Sequence, residues 1–341
     1  MAGRLEGKVA LISGAARGQG RSHAVRLAEE GADIIAFDVC RQLDTVPYPM
    51  STPDDLAETV RQVEELDRRI VAMEADVRDS AAVQAVVDAG LYTFERLDIV
   101  CANAGILRFV ENVWSVTDAE WDEMIGVCPT GAWKTIRAAV PAMIASGHGG
   151  SIVLTSSTAG IKGMTNIGPY TTAKHGIVGL MRTLAVDLAP HSIRVNTVLP
   201  TGVSSPMIVN DYVDEFLGAH PDLSVNWANL MPVDQVEPRD VSNAVAYLCS
   251  DEARYVTGAT FPVDGGVLLK QAPWSEPLRV EEQVGAECEA DEVGHVGPDR
   301  GPVGVDEFEE PVASLNVRPW GGGAEAARCL DALQPPTGSS G

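Results

Sequence analysis

Short apolar runs alternate with longer amphipathic segments along most of the chain. Seven runs have the length of buried strands: VALISG, DIIAFDV, IVAMEADV, LDIVCANAG, SIVLTSS, IRVNTVLP and TFPVDGG. Between them, segments such as DDLAETVRQVEEL and SAAVQAVVDAGLYTF place their apolar residues on one helical face. Uniformly apolar strands that alternate with helices are typical of a parallel sheet covered on both sides. The pattern therefore predicts an α/β fold with a doubly wound parallel sheet.

This pattern stops near residue 270 of the 341-residue chain. All seven runs lie within residues 1–270, which we interpret as a single domain. Residues 271–341 contain 14 acidic and 4 basic residues together with 10 Gly and 8 Pro. A segment with so much charge and so little apolar surface is expected to be a disordered C-terminal tail. It is either an acidic interaction tail or an unselected extension.

Charge and composition narrow the kinds of partner. The net charge is −23, of which −10 belongs to the tail and −13 to the rest, and such an acidic chain argues against a nucleic-acid partner. No run approaches the roughly eighteen apolar residues of a membrane span, and VALISG is too short for a signal-peptide core, so we expect a cytoplasmic protein without a membrane partner. Six scattered Cys without a CxxC pair indicate reduced thiols. Neither they nor the six His have metal-ligand spacing, so no metal is expected.

The amino-terminal segment has the layout of a dinucleotide site. It reads as strand, glycine-rich turn, helix and strand. Gly14, Gly18 and Gly20 allow a tight turn and a close approach to a pyrophosphate, whose charge is met by the free N–H groups of the helix start. Asp38 ends the second strand, where a carboxylate accepts hydrogen bonds from a ribose diol and repels a 2′-phosphate. The sequence therefore predicts NAD as the cofactor.

Two arginines leave an alternative open. Arg17 lies within the glycine turn and Arg21 directly follows it, and a guanidinium is able to pair with the 2′-phosphate of NADP. They are otherwise expected to be solvated or to face the pyrophosphate. An NADP-linked ketone reductase is therefore a competing interpretation, which Asp38 opposes.

Three residues carry candidate chemistry. Tyr170 and Lys174 are four residues apart near the start of a predicted helix, so they share one face. An ammonium group beside a phenol favours the phenolate and lowers the tyrosine pKa from about 10, which suits proton exchange with an alcohol. Ser157 is the last residue of the apolar run SIVLTSS and is placed to hold the substrate oxygen. This set predicts oxidation of an alcohol or reduction of a carbonyl.

These motifs together resemble the short-chain dehydrogenase/reductase family, whose members have a Rossmann sheet. The resemblance covers residues 5–269: SGAARGQG is similar to the TGxxxGxG motif, CANAG to NNAG, and PTGVSSPM to PGxVxTxM. It implies that Ser157, Tyr170 and Lys174 are catalytic and that Lys174 also holds the nicotinamide ribose. It further implies homotetramers formed through the helices that carry Tyr170 and residues 244–248. The cofactor contacts that it implies include Asp76 and Val77 beside adenine, Asn103 in the central sheet, and Val203 and Ser205 on the nicotinamide amide. It also implies contacts from Gly14, Arg17, Gly18, Gly20 and Asp38.

A narrower resemblance is to the carveol-dehydrogenase-like, mycofactocin-coupled branch of this family. It rests on ARGQGRSHAVRLAEEGADIIAFDVC and the extended segment YPMSTPDDLAETVRQVEEL. The resemblance implies that the insertion after the second strand covers a tightly held NAD, which a peptide-derived redox carrier recycles in place. Alternatively, residues 46–53 are a long loop, since Pro47, Pro49 and Pro53 exclude regular structure.

One segment departs from the family pattern. Where the family reads MxxVNLTG, this chain reads MIGVCPTG, so Cys128 replaces an Asn that supports a proton-relay water and Pro129 follows it. Proline costs about 3 kcal/mol inside an ordinary helix, and a thiol cannot donate and accept as an amide does. A cofactor-binding scaffold or redox sensor with impaired catalysis is therefore a second class of function.

The substrate is expected to be a hydrophobic secondary alcohol or its ketone. Residues 206–227 and Met231 offer apolar side chains above the predicted site. Alternatively, these side chains only pack the helices of that region.

Overall fold

The structure, a computed structural model, describes residues 3–221, 223 and 227–269. It contains one parallel sheet of seven strands, in the order β3-β2-β1-β4-β5-β6-β7. The strands are β1 Val9–Ser13, β2 Asp33–Asp38, β3 Ile70–Glu74, β4 Ile99–Ala102, β5 Gly150–Thr155, β6 Ile193–Pro200 and β7 Thr260–Val263. Every predicted strand is present, and the predicted doubly wound fold is confirmed. The order reverses between β1 and β4, and ligands of such sheets bind at the carboxyl ends of the strands there.

Helices cover both faces of the sheet. They are α1 Gly18–Glu29, α2 Pro53–Glu64, α3 Ser80–Phe94, α4 Asp118–Ile125, α5 Gly131–Ser146, α6 Gly168–Leu188, α7 Asp211–Ala219 and α8 Pro238–Cys249. In β1, Leu11 belongs to the core layer shared with α3, α5 and α6, whereas Ala10 and Ile12 belong to the layer shared with α1, α2 and α8. This alternation follows from the two-residue period of a strand, and burial of both faces explains why the strands are apolar throughout.

Pro129 lies in a π-helical turn, Gly126–Thr130, which joins α4 to α5 without a break. Proline has no N–H to donate in either pattern, but the wider π-turn gives its ring more room beside the preceding carbonyl than an α-helix does. The full cost of a proline inside an ordinary helix therefore does not apply at Pro129, because the helix is irregular at this point. Such turns are frequent at functional sites.

Four of the six cysteines lie within the described residues, and all four are free thiols in the core: Cys40, Cys101, Cys128 and Cys249. None of the helices in the described part of the chain is long and apolar enough to cross a membrane. The predicted tail, residues 271–341, lies outside the described residues.

Candidate active site

Two adjoining cavities open at the carboxyl ends of the strands. The first, here the tyrosine cavity, has a volume of about 430 Å³ and is lined by Ser157, Tyr170 and Lys174. The second, here the glycine cavity, has a volume of about 130 Å³ and lies above the glycine turn and the end of β2. Every predicted site residue lines one or both: the tyrosine cavity has Ser157, Tyr170, Lys174 and Val203, the glycine cavity has Gly14, Arg17, Gly18, Gly20, Asp38, Asp76 and Val77, and both share Asn103 and Ser205.

The glycine turn leaves no room for a side chain at Gly14 or Gly20. A Cβ on Gly14 would fall 2.8 Å from the Cα of Ala104, and one on Gly20 would fall 1.9 Å from the carbonyl oxygen of Gly14. Gly14 and Gly18 also have φ of +67° and +55°, which favour glycine. Helix α1 starts beside this turn with no side-chain cap and no acidic residue in its first turn. Its N–H groups therefore suit an anionic pyrophosphate.

Asp38 is buried at the end of β2, and its carboxylate is partly occupied by protein donors. It accepts hydrogen bonds from the N–H of Ala16 at 2.9 Å, from the N–H of Val39 at 2.8 Å and from the Ser51 hydroxyl at 2.6 Å. A carboxylate has about four acceptor positions, so one is left for a ligand hydroxyl. These donors also fix the orientation in which the carboxylate faces the glycine cavity.

The two arginines are engaged elsewhere. Arg21 donates to the carbonyl oxygens of Ala16 and Asp55 and lies 3.5 Å from the Asp55 carboxylate. Arg17 donates to the carbonyl oxygen of Pro49 at 2.5 Å. Neither contact requires a 2′-phosphate, so the geometry favours the interpretation based on Asp38.

Asp76 holds its place through two arginines. Its carboxylate pairs with Arg78 at 2.7 Å and with Arg41 at 2.9 Å. Burial alone would raise the pKa of Asp76, but hydrogen bonds and charge from Arg78 keep it below its usual value. The group is therefore ionised at neutral pH and stays fixed beside Val77 in the glycine cavity.

The three candidate catalytic residues come together from two elements. Ser157 follows β5 and begins a short 3₁₀ turn, and its hydroxyl lies 3.4 Å from the carbonyl oxygen of Pro200. Tyr170 and Lys174 lie in the first two turns of α6. Lys174 is only 3% exposed, and its ammonium group donates to the Thr155 carbonyl oxygen at 2.9 Å. The Nζ atom stands 5.3 Å from the centroid of the Tyr170 ring.

This geometry corrects the predicted effect of Lys174 on Tyr170. Burial raises the pKa of Tyr170 above its ordinary value, and the negative charge of a Cys128 thiolate would raise it further, while the Ser157 hydroxyl opposes this shift only in part. Burial also lowers the pKa of Lys174. The prediction of a depressed tyrosine pKa is wrong here because burial of the phenol outweighs the ammonium group, whose Nζ is directed at the Thr155 carbonyl oxygen. Tyr170 is consequently a neutral proton donor in this state.

The insertion segment, residues 42–52, has no helix or strand but is firmly anchored. Tyr48 is 4% exposed, and its hydroxyl accepts the N–H of Leu107 at 3.0 Å. Thr45 donates its N–H and its hydroxyl to Glu123 at 3.1 Å and 2.5 Å. At its far end the Ser51 hydroxyl binds Asp38. The segment is thus a long loop without regular structure, as its prolines predicted, and these contacts fix it beside the glycine cavity.

The tyrosine cavity has an apolar outer wall. Phe109 stacks on Phe216 with ring centroids 4.6 Å apart and on Trp227 with centroids 5.2 Å apart. The predicted apolar region contributes directly to the lining through Met207, Ile208, Val213, Leu217, Trp227 and Met231. These side chains therefore line the cavity as well as packing its helices. Phe109 was not predicted, because it stands alone in an irregular segment without a periodic signal.

Cys128 lies close to Lys174. It is fully buried, with Sγ at 3.8 Å from both the Ile106 carbonyl oxygen and the Met124 sulfur. A Cβ built on Gly105 would fall 3.6 Å from this Sγ and 3.4 Å from the Nζ of Lys174. The thiol therefore stands where a larger polar side chain would reach the surroundings of Lys174.

The chain is similar to known oxidoreductases over most of its length. Residues 14–268 match the family described as enoyl-(acyl carrier protein) reductase. A putative short-chain type dehydrogenase/reductase of Mycolicibacterium smegmatis is 56% identical over 281 residues, covering 79% of this chain and all of the relative. The chain belongs to the short-chain dehydrogenase/reductase family.

Within this family the chain is similar to proteins named for carveol. The (−)-trans-carveol dehydrogenase of Rhodococcus erythropolis is 49% identical over 277 residues, covering 78% of this chain and 99% of that one. The crystal structure of carveol dehydrogenase from Mycobacterium avium in complex with NAD is 52% identical, with a TM-score of 0.76, and covers 79% of this chain and all of the other. The predicted resemblance to the carveol-dehydrogenase-like branch is confirmed, and mycofactocin coupling is considered below as a proposal.

Proposed function

We propose that this protein is an NAD-dependent alcohol dehydrogenase that interconverts a hydrophobic secondary alcohol and its ketone. The observation that carries the proposal is the placement of Ser157, Tyr170 and Lys174 at the base of an apolar cavity of about 430 Å³. This cavity adjoins the glycine cavity, whose free helix N–H groups and buried Asp38 suit a dinucleotide. Relatives named NAD-dependent oxidoreductases and NAD-bound structural neighbours support NAD as the cofactor.

The chain supplies the proton chemistry. Bound NAD supplies the acceptor or donor of the hydride. In reduction, Tyr170 gives its proton to the ketone oxygen, and the Ser157 hydroxyl orients that oxygen by a hydrogen bond. In oxidation the Tyr170 hydroxyl must first lose its proton to solvent, and the resulting phenolate then takes the proton of the alcohol. Because burial raises the pKa of Tyr170, oxidation should accelerate as the pH rises, whereas reduction should not.

The cofactor is held tightly in this proposal. Support comes from the insertion segment, since Arg17 donates to Pro49 and Ser51 donates to Asp38, which joins this segment to the walls of the glycine cavity. Exchange of NAD requires at least some of these contacts to open. A redox carrier, such as the peptide-derived cofactor of the mycofactocin-coupled branch, then recycles NAD in place.

The decisive experiment uses the native protein as purified. Mass spectrometry before and after denaturation should find NAD at near one per chain. Cyclic and linear secondary alcohols should be oxidised with an artificial electron acceptor and only weakly with free NAD as the sole oxidant. Tyr170→Phe should retain NAD and lose turnover. An empty protein that binds NADPH better than NADH would refute the assignment, and strong steady NADH accumulation in bulk solution would refute tight holding.

The scaffold or redox-sensor function has two observations in its favour: Cys128 stands where the family has an Asn, and the pKa of Tyr170 is raised. The comparison of wild type with Tyr170→Phe separates the two classes. A scaffold retains NAD, and its negligible turnover does not change with the substitution. An enzyme loses measurable turnover.

We propose residues 1–270 as the catalytic domain, a homotetramer built through α6 and α8, and a cytoplasmic location. Val186 on α6 is a large apolar side chain that the monomer leaves 73% exposed, as an interface through α6 requires. Native mass spectrometry tests the assembly directly, and a monomer at micromolar concentration would exclude the tetramer.

A further inference from the structure

His220 lies at one end of the aromatic wall of the tyrosine cavity. It is the C-cap residue of α7, whose Val213 and Leu217 line that cavity. Its ring stacks on Phe216 with centroids 4.3 Å apart, and Phe216 in turn stacks on Phe109. The position of His220 is therefore linked through two stacked rings to a surface that faces the substrate.

Both ring nitrogens of His220 face acceptors. Nδ1 lies 2.9 Å from the carbonyl oxygen of Phe216, and Nε2 lies 3.1 Å from the carboxylate of Glu111. A neutral imidazole has one N–H and satisfies only one of these acceptors, whereas the imidazolium donates to both. Glu111 follows Phe109 in the chain by two residues, so this pair joins α7 to the segment that carries the central ring of the wall.

Few other charged groups act on this pair. Arg108, on the same segment as Glu111, is engaged with Glu120 at 2.6 Å. On α7 itself, Asp211, Asp214 and Glu215 make no hydrogen bond or ion pair with His220 within the described residues. The hydrogen bond with the Phe216 carbonyl, followed by that with Glu111, raises the pKa of His220 above its ordinary value.

We propose that His220 is a positioning residue for the substrate: as the imidazolium it clamps α7 to the segment of Phe109 and Glu111 and so fixes the aromatic wall. The inference rests on the proposed function, because it places the substrate in the tyrosine cavity. A second contact limits its effect. The Tyr212 hydroxyl bonds the N–H and the carbonyl of Phe109 at 2.9 Å and 3.1 Å, which holds the start of α7 whatever the charge of His220.

The sign of the pH dependence follows from the raised pKa. The clamp is complete below the pKa of a free histidine, about 6.5, and is lost as the pH rises through the higher pKa of the docked state. KM should therefore rise by about two- to fivefold across that range, the scale of an exposed ion pair. Because His220 does not touch the reacting atoms, this transition should be absent from kcat.

The test measures KM and kcat of the NAD-loaded protein from about pH 5.5 to about pH 9, a range that includes the titration of a histidine. Glu111→Gln should give a high KM that no longer changes with pH. His220→Arg should keep KM low at alkaline pH, because arginine stays charged and stacks on aromatic rings. Asp214→Asn, on the same helix but outside the pair, should behave as wild type. A pH-dependent KM that survives in Glu111→Gln would overturn the proposal.

A second measurement does not depend on turnover. The ring of His220, assigned by its loss in His220→Asn, is titrated by NMR in wild type and in Glu111→Gln. Its pKa should lie above that of a free histidine and fall in the variant. A pKa at or below the free value in wild type overturns the clamp. Failure to find any oxidised alcohol, with the NMR result as expected, counts against the proposed function instead.

Discussion

Replacing Tyr48 by Phe tests whether the insertion segment retains the cofactor. The substitution removes a single hydroxyl oxygen and leaves the ring, which is buried against the core beneath the glycine cavity. The N–H of Leu107 then loses the acceptor that it has at 3.0 Å, in a place that the structure buries. An unsatisfied buried donor costs about 1–3 kcal/mol.

The size of the effect on NAD follows from that cost. If the whole of it is lost from the state in which the insertion segment is docked, NAD should dissociate about 5 to 150 times faster, since about 1.4 kcal/mol corresponds to a factor of ten. The assay displaces bound NADH with excess NAD in a stopped-flow instrument and follows nicotinamide fluorescence. The free energy of unfolding, measured in urea, should fall by a similar amount.

Tyr92→Phe is the matched control, because Tyr92 on α3 is 91% exposed. It loses the same atom without leaving a buried group unpaired, so its dissociation rate and stability should equal those of wild type. If Tyr48→Phe releases NADH no faster than Tyr92→Phe, the insertion segment does not retain the cofactor. A loss of stability with an unchanged dissociation rate would show that Tyr48 supports only the core.

Three further predictions concern the site and the stability of the fold. Cys128→Asn combined with Pro129→Leu should increase turnover about tenfold or more by restoring a proton-relay amide, in a steady-state assay; an unchanged or lower rate would show that the chain has adapted to the thiol. Asp38→Asn should tighten NADPH relative to NADH at least about fivefold, since two charges 4 Å apart repel by about 1 kcal/mol in water, and equilibrium titration checks this. A hydrogen bond from Arg4 lowers the pKa of Glu30 to about 2. The contribution of ionised Glu30 to the stability of the fold is present above about pH 4.5 and is lost as the pH falls towards 2. The difference in free energy of unfolding between wild type and Glu30→Gln, measured in urea, should therefore shrink over that range.

The sheet could be predicted because each strand is apolar throughout, as its burial on two faces requires. The positions of the glycine turn and of Ser157, Tyr170 and Lys174 followed from short motifs at strand ends and helix starts. Local sequence is sufficient there, since the carboxyl ends of parallel strands meet at one edge of the sheet.

The pKa of Tyr170 could not be predicted in the same way. Spacing places Lys174 on the same helical face, but the direction of its Nζ depends on the Thr155 carbonyl, which comes from another element. The raised value also depends on the depth of burial, which four residues of sequence do not encode.

The roles of Tyr48 and Glu123 were missed for a related reason. Tyr48 lies in a segment without periodicity, and its partner, Leu107, is far away in the chain. Glu123 reads as an ordinary acidic residue of an amphipathic helix, yet it holds Thr45 of the insertion segment. An isolated aromatic residue among prolines was the only local signal that this segment is packed down.

The alkylation rates of the buried thiols report how often different parts of the folded protein open. Only the thiolate reacts, and burial with nearby carboxylates raises the pKa of Cys40 to about 12. Cys40 adjoins the start of the insertion segment, so its alkylation should time the local opening of that segment. Cys101 and Cys249 lie in β4 and α8, 2% and 1% exposed, and should react only on global unfolding. Cys288 and Cys329, outside the described residues, would first be replaced by serine. The difference between the alkylation rate of Cys40 and that of Cys101 and Cys249 would then separate local opening beside the glycine cavity from global unfolding.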